Sequence, residues 1–313
     1  MDKAQIPVFV INGFLEGGKT QFMTFTMAQE YFRTQGNTLL IVCEEGEEAY
    51  SKELLDSTHT TAVYMENQQD LTVEKMLELT SQVDPERVLI EWNGMWPQGD
   101  LRLPNQWYLN QMITVFDTST LDLYIRNMKP LMGQMLKSSE LVLCNRADGI
   151  PEETLANYHL IIKAMAPEAE IIFEGEEGEI RGDFSISLPY DLESPKLVIR
   201  PQDYGIFYID ALDRTEKYDN KEVEFTAQVV KPQKAPEDVL FPGRRAMTCC
   251  EADMQFLGFI CHYPGAKNFA NKDWVKIKGI IKLEQNPQYG GAGPVIYARE
   301  IVHTGPIAEI VQF

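Results

Sequence analysis

Basic residues are scarce in this chain: 28 Lys and Arg stand against 47 Asp and Glu, a formal net charge of −19. Phosphate backbones are gripped by clustered Lys and Arg, so the deficit argues against a nucleic-acid partner, while the acidity favours solubility and attracts cations. Long apolar runs are missing too. No stretch approaches the roughly 20 residues a membrane helix needs, and the N-terminus lacks a basic-then-apolar secretory pattern. Direct membrane insertion is therefore not expected, and a cytoplasmic location is. Cysteine is sparse and odd in number, with five residues at Cys43, Cys144, Cys249, Cys250 and Cys261, which makes no disulfide framework and fits a reducing compartment. Internal repeats and low-complexity tails are absent as well. At 313 residues the chain exceeds what one core usually organises, and about two domains are expected.

Against this background one motif stands out. Residues 13–20 read Gly-Phe-Leu-Glu-Gly-Gly-Lys-Thr and follow an apolar, strand-like run. Such a loop handles a nucleoside triphosphate, because glycines let successive backbone N–H groups curl around phosphate oxygens. Lys19 then places an ammonium on the β and γ phosphates, and the Thr20 hydroxyl ligates Mg²⁺. The following residues 20–33 have helical composition and would aim a helix N-terminus at the anion. Candidate nucleotide contacts from this segment are Gly13, Glu16, Gly17, Gly18, Lys19, Thr20 and Gln21.

Up to about residue 190, apolar runs at 7–11, 38–42, 61–64, 87–91, 112–116, 141–144 and 170–173 alternate with helical stretches at 73–82, 121–137 and 151–165. That alternation predicts α/β architecture: a P-loop NTPase domain over 1–190 with a mostly parallel sheet. An acidic stretch at 174–179 and a proline-bearing stretch at 187–201 mark a change of texture. Beyond it, β-branched and aromatic runs at 222–230, 245–249, 256–262, 274–283 and 293–302 are separated by Gly, Pro and Asn clusters. Five strands without a convincing long helix predict a small all-β, OB-like barrel domain over 200–313.

Two further signals sit at strand ends. The run Val88-Leu89-Ile90-Glu91 ends in a carboxylate able to hold Mg²⁺ through its water shell, making Lys19, Thr20 and Glu91 the candidate catalytic set. After the run at 141–144, Asn145, Arg146 and Asp148 supply a base-reading group. A carboxylate has only acceptors, so Asp148 suits the donor-bearing edge of guanine and repels the acceptor nitrogen of adenine. Asn145 would contact the ring or tie loops together, and the Arg146 stem would cover the base face.

Together these pieces resemble the CobW-like family of phosphate-loop GTPases, which includes metallochaperones and cobalamin-related proteins. The likeness spans about residues 5–180 and is carried by Gly13-Phe14-Leu15, Cys43-Glu44-Glu45-Gly46-Glu47, Glu91-Trp92-Asn93-Gly94 with Pro97, Thr114-Val115-Phe116-Asp117 and residues 141–148. It implies GTP and GDP as ligands, Mg²⁺ as cofactor, slow GTP hydrolysis and coupling to metal or cofactor delivery to a metalloprotein client. Departures are visible: the region 65–70 lacks the family's Cys-x-Cys-Cys motif, Arg146 replaces a common lysine, Asn93 a common hydroxyl residue, and Gln21 a frequent Thr or Ser. The C-terminal part, through Cys249-Cys250-Glu251-Ala252-Asp253, Trp274-Val275-Lys276-Ile277-Lys278-Gly279 and Pro294-Val295-Ile296-Tyr297-Ala298, resembles a bacterial YcgQ-like family encoded beside a predicted permease.

Cys249, Cys250, Cys261 and His262 carry ligand types for Zn²⁺ or another transition metal such as Cu⁺. Adjacent strand residues point to opposite faces, however, so packing of these cysteines and a metal site both stay open. The acidic run Glu44, Glu45, Glu47 and Glu48 is read first as a solvated face and second as a cation site. A rival to metal delivery is a nucleotide-responsive adaptor that docks on a membrane permease and carries no metal. A third reading, a small-molecule kinase, requires ATP binding, against which Asn145 and Asp148 speak.

Overall fold

The computed structural model describes residues 5–182, 184, 187–232, 235–247 and 254–313. The chain divides into two compact units, residues 1–155 with 168–182, and residues 156–167 with 183–313. The division is thus not one cut in the sequence.

The first unit is built from β1 (Ile6–Asn12), α1 (Lys19–Ala28), β2 (Asn37–Val42), α2 (Lys52–Ser57), β3 (Thr60–Tyr64), α3 (Val73–Val83), β4 (Pro85–Glu91), β5 (Trp107–Asp117), α4 (Leu121–Asn127), α5 (Lys129–Leu136) and β6 (Leu141–Asn145). After α6 (Glu152–Met165) come β7 (Glu170–Gly175) and the short β8 (Gly178–Glu179). The sheet runs β3-β2-β4-β1-β5-β6-β7-β8. Every pair through β7 is parallel; only β8 lies antiparallel, against β7. Parallel strands need crossover connections, and those helices cover the sheet, which is why β2 and β4 read as continuous apolar runs rather than alternating ones. Met23 and Met27 of α1 pack on one face with Ile11, Leu40 and Leu89. Met76 and Leu79 of α3 pack on the other with Val10, Ile41 and Ile90.

Two helical expectations are refined. Residues 20–33 do not form one helix, because α1 stops at Ala28 and a 3₁₀ turn, Glu30–Phe32, follows. Residues 121–137 break at Met128, where Pro130 cannot continue the preceding turn: its ring displaces the carbonyl four residues back.

The second unit holds β9 (Lys196–Val198), α7 (Tyr204–Asp213), α8 (Thr215–Tyr218), β10 (Glu222–Val230), β11 (Val239–Met247), β12 (Met254–Gly258), β13 (Ile260–His262), β14 (Trp274–Asn286), β15 (Gly291–His303) and β16 (Val311–Gln312). Its strands close a circuit. β10 pairs with β11, β11 with β13, β13 in parallel with β15, β15 with β14, and β14 back with β10. This is the five-stranded OB-like barrel, with the parallel pair that its Greek-key path requires. The sequence pattern misses α7, which contributes Tyr204 and Phe207 to an aromatic cluster with Phe225 and Phe259; Phe207 and Phe259 lie 5.2 Å apart. Most of α7 is buried around its circumference, so it shows no polar face to reveal a helical period. β11 begins at Val239, earlier than the expected run at 245, because Pro242 and Gly243 read as a break.

Candidate functional site

β1 and α1 are joined by the glycine-rich loop, residues 13–18. Gly18 caps α1 with a left-handed backbone, φ 93°, and a Cβ there would lie 2.2 Å from Asn145 Nδ2. Glycine is demanded by both the torsion and the close approach. The loop folds over Lys19, which is 3% exposed. Its Nζ donates to the carbonyls of Gly13 at 3.0 Å and Phe14 at 2.8 Å, and pairs with Glu44 Oε2 at 2.5 Å. Phe14 in turn stacks on Tyr124 with centroids 3.8 Å apart, fixing the loop from outside.

Thr20, one residue on, donates through Oγ1 to Glu91 Oε1 at 2.8 Å. Glu91 ends β4, is 3% exposed, and receives a second bond at Oε2 from the Tyr50 hydroxyl. Burial pushes the Glu91 carboxyl above its ordinary pKa; the bonds from Tyr50 and Thr20 and the Lys19 charge oppose that shift, and Glu44 adds to it. The Cys43 thiol is pushed up to about 12, chiefly by burial and then by Glu91 and Glu44. The cleft is lined by Leu15, Glu16, Lys19, Thr20, Glu44, Glu91 and neighbouring residues, with four carboxylates against Lys19 and Arg146. A hydroxyl beside a buried carboxylate in an acidic cleft is an oxygen donor set that fits a hard divalent cation such as Mg²⁺.

The second cluster lies at the ends of β5 and β6. Asn145 Nδ2 donates to the Gly17 carbonyl at 2.9 Å, tying β6 to the phosphate loop, while its Oδ1 is buried with no hydrogen-bond partner among the described residues. Arg146, at φ 51°, turns its guanidinium to Asp117 Oδ2 at 2.6 Å and to the Glu16 carbonyl at 3.1 Å. Asp117 is held below the usual carboxylate range despite partial burial, through bonds from Ser119 and Arg146. Asp148 Oδ2 accepts from the Glu176 backbone N–H at 2.9 Å, beyond the end of β7. Glu16 reaches the other way, accepting from the Glu47 N–H at 2.9 Å. Gln21 lies exposed in the first turn of α1.

Of the expected residues, Gly13, Glu16, Gly17, Gly18, Lys19, Thr20, Glu91, Asn145 and Arg146 therefore gather about one loop. Tyr50 and Asp117 bind directly to members of that group and escaped assignment of a role. Tyr50 gave no signal beyond being an aromatic at the end of an acidic run; Asp117 gave the weak one of a charge ending a strand.

Of the expected Zn²⁺ set, only Cys261 and His262 fall among the described residues. Cys249 and Cys250 lie outside the described residues. Cys261 and His262 are consecutive on β13, so the pleat turns their side chains to opposite faces. Cys261 is buried in the barrel core, and burial pushes its thiol up to about 12. His262 faces outward, with Nδ1 3.0 Å from Asp238 Oδ2 and its ring stacked on Tyr297. Among the described residues no group of three or more His, Cys, Asp or Glu is placed to hold a metal ion, and no helix is long and apolar enough to cross a membrane.

A parallel sheet whose first strand opens into a glycine loop, with Lys19 under the loop and Glu91 on the adjacent strand, defines a phosphate-loop nucleotide-binding protein. Residues 7–173, more than half of the chain, match the CobW/HypB/UreG nucleotide-binding domain, and the chain belongs to that family. Residues 184–308 match the DUF1980 C-terminal domain, the family to which the YcgQ-like resemblance refers. Among solved structures, the chain is similar to the hydrogenase maturation factor HypB from Archaeoglobus fulgidus, at 15% identity over 56% of this chain and 83% of that one, with a TM-score of 0.39. HypB from Helicobacter pylori in complex with nickel matches at 11% identity over 56% and 81%, with a TM-score of 0.36. No match was found among curated proteins.

Proposed function

We propose that the chain is a GTP-binding protein with slow, Mg²⁺-dependent GTP hydrolysis, whose nucleotide state is coupled to metal or cofactor delivery. The observation that carries the reading is the joint placement of Lys19, Thr20 and Glu91 at one loop that Asn145 also braces. Lys19 would meet the β and γ phosphates, and backbone N–H groups of residues 16–20 would take the remaining oxygens. Thr20 and Glu91 would hold Mg²⁺, which when bound neutralises charge on the transferred phosphoryl group. Chemistry of this kind is mostly electrostatic, with groups fixed in advance around developing charge. Asp148 would accept from the guanine edge. The buried, unpartnered Asn145 Oδ1 supports a ligand donor in this region, since such an atom costs about 1–3 kcal/mol when unmet.

The outward His262 and inward Cys261 favour a second reading, in which the protein is a nucleotide-responsive adaptor of a membrane permease and delivers no metal. Metal content of the purified protein separates the two. Stoichiometric Zn²⁺ or Cu⁺ lost in Cys249→Ser/Cys250→Ser supports delivery, and metal-free protein supports the adaptor. The nucleotide reading itself is tested by calorimetric titration with GTP and ATP in Mg²⁺. GTP should bind more tightly than ATP, and Lys19→Ala should weaken GTP by about 10- to 100-fold, the scale of a lost charge-assisted bond. Equal affinity for the two nucleotides, or wild-type binding by Lys19→Ala, would overturn it.

A further inference from the structure

We infer that Tyr50 is a positioning residue for the divalent-cation carboxylate, a role that rests on the nucleotide reading above. Glu91 has two carboxylate oxygens and each is met by a hydroxyl from a different element. Thr20 at the start of α1 takes Oε1, and Tyr50, from the segment between β2 and α2, takes Oε2. A carboxylate at the end of a glutamate turns about a broad, two-fold torsion, so one hydroxyl alone leaves its plane loosely set. Two donors on opposite oxygens fix it.

Tyr50 is suited to the task because its own ring cannot wander. It is 8% exposed and packs in the same core as Met23, Met27, Leu40, Val42 and Leu89. Its hydroxyl also lies 3.3 Å from Met23 Sδ, but the phenol has one proton and the anionic oxygen is the stronger acceptor. The arrangement has a second consequence. The acidic segment that carries Tyr50 also places Glu44 on Lys19. The segment is therefore tied at one point to the phosphate lysine and at another to the cation carboxylate, and Tyr50 is the neutral tie. Removing its hydroxyl leaves Glu91 Oε2 buried without its donor and frees the carboxylate to turn from the cation.

The test is Tyr50→Phe, which keeps the ring and removes one O–H. Fluorescent-GTP titrations are run across Mg²⁺ concentrations and in EDTA, with thermal melting alongside. The Mg²⁺ concentration needed for half-maximal tight binding should rise about tenfold, in line with a lost hydrogen bond to a charged group. Affinity in EDTA should stay at the wild-type value. In a Glu91→Gln background the same replacement should add little to the Mg²⁺ requirement, because the two residues act as one unit. An unshifted Mg²⁺ requirement with a lowered melting temperature would reduce Tyr50 to packing and overturn the inference. Wild-type protein that binds GTP equally with and without Mg²⁺ would overturn the cation reading of Glu91 together with it, so the two failures are told apart by whether wild type or variant departs.

Discussion

At the scale of single residues the site is a problem of buried charge. Glu91 sits nearly inaccessible at the end of β4, and its pKa is raised mainly because burial disfavours the ionised form. The sign of the linkage follows. A folded-state pKa above the unfolded value contributes stability that is complete below the ordinary carboxylate pKa and is lost as pH rises through the folded value. Urea denaturation of wild type without nucleotide should therefore show stability falling across that window, and Glu91→Gln should flatten the fall; equal slopes would contradict it. The same variant should need more Mg²⁺ to bind GTP. That Lys19, Thr20 and Glu91 meet at one loop was legible in the sequence, because a glycine-rich turn and a charge ending an apolar run are local patterns. Tyr50 was not. Its role depends on a bond between residues far apart in sequence that pairing β2 with β4 brings together.

At the scale of elements, the phosphate loop is held in shape by what packs on it. The segment after β4 crosses so closely that a Cβ on Gly94 would fall 2.3 Å from the Gly13 carbonyl oxygen and 2.8 Å from Met135 Cε. Backbone must move to relieve such a contact, and the backbone in question is the loop. Gly94→Ala should lower the melting temperature and weaken GTP binding by about tenfold, on the scale of 1–3 kcal/mol for overpacking. Gly99→Ala, which meets nothing within 4 Å, should change neither. Both are read by thermal melting and the GTP titration. The strands of the first unit were legible because parallel, doubly covered strands are continuous apolar runs. The helices were less so. Pro130 splits one and α7 is hidden by burial on most sides, since a hydrophobic period shows only where one face meets water.

At the scale of the whole molecule, charge is the dominant property. With a net charge of −19 and an isoelectric point near 4.6, the protein should be least soluble close to pH 4.6 and gain solubility as pH rises from there, measured by turbidity across a pH series. It should also fail to bind duplex DNA in a fluorescence anisotropy titration at low salt, where counterion release would favour any basic surface. Two halves of different texture were evident from the order and spacing of the apolar runs, and so were the α/β class of one and the barrel class of the other. The path of the chain between them was not, because residues 156–167 group with the second unit although residues 168–182 return to the first. The sequence by itself determined the loop, its lysine and hydroxyl, the carboxylate at the end of β4 and the strand pattern, since each follows from local chemistry or local period. Only the tertiary structure decided that Glu44 meets Lys19, that Tyr50 shares Glu91 with Thr20, and that Asn145 braces Gly17. Those facts depend on which strands lie side by side and which way each side chain points, and long-range pairing leaves no mark on any one stretch of residues.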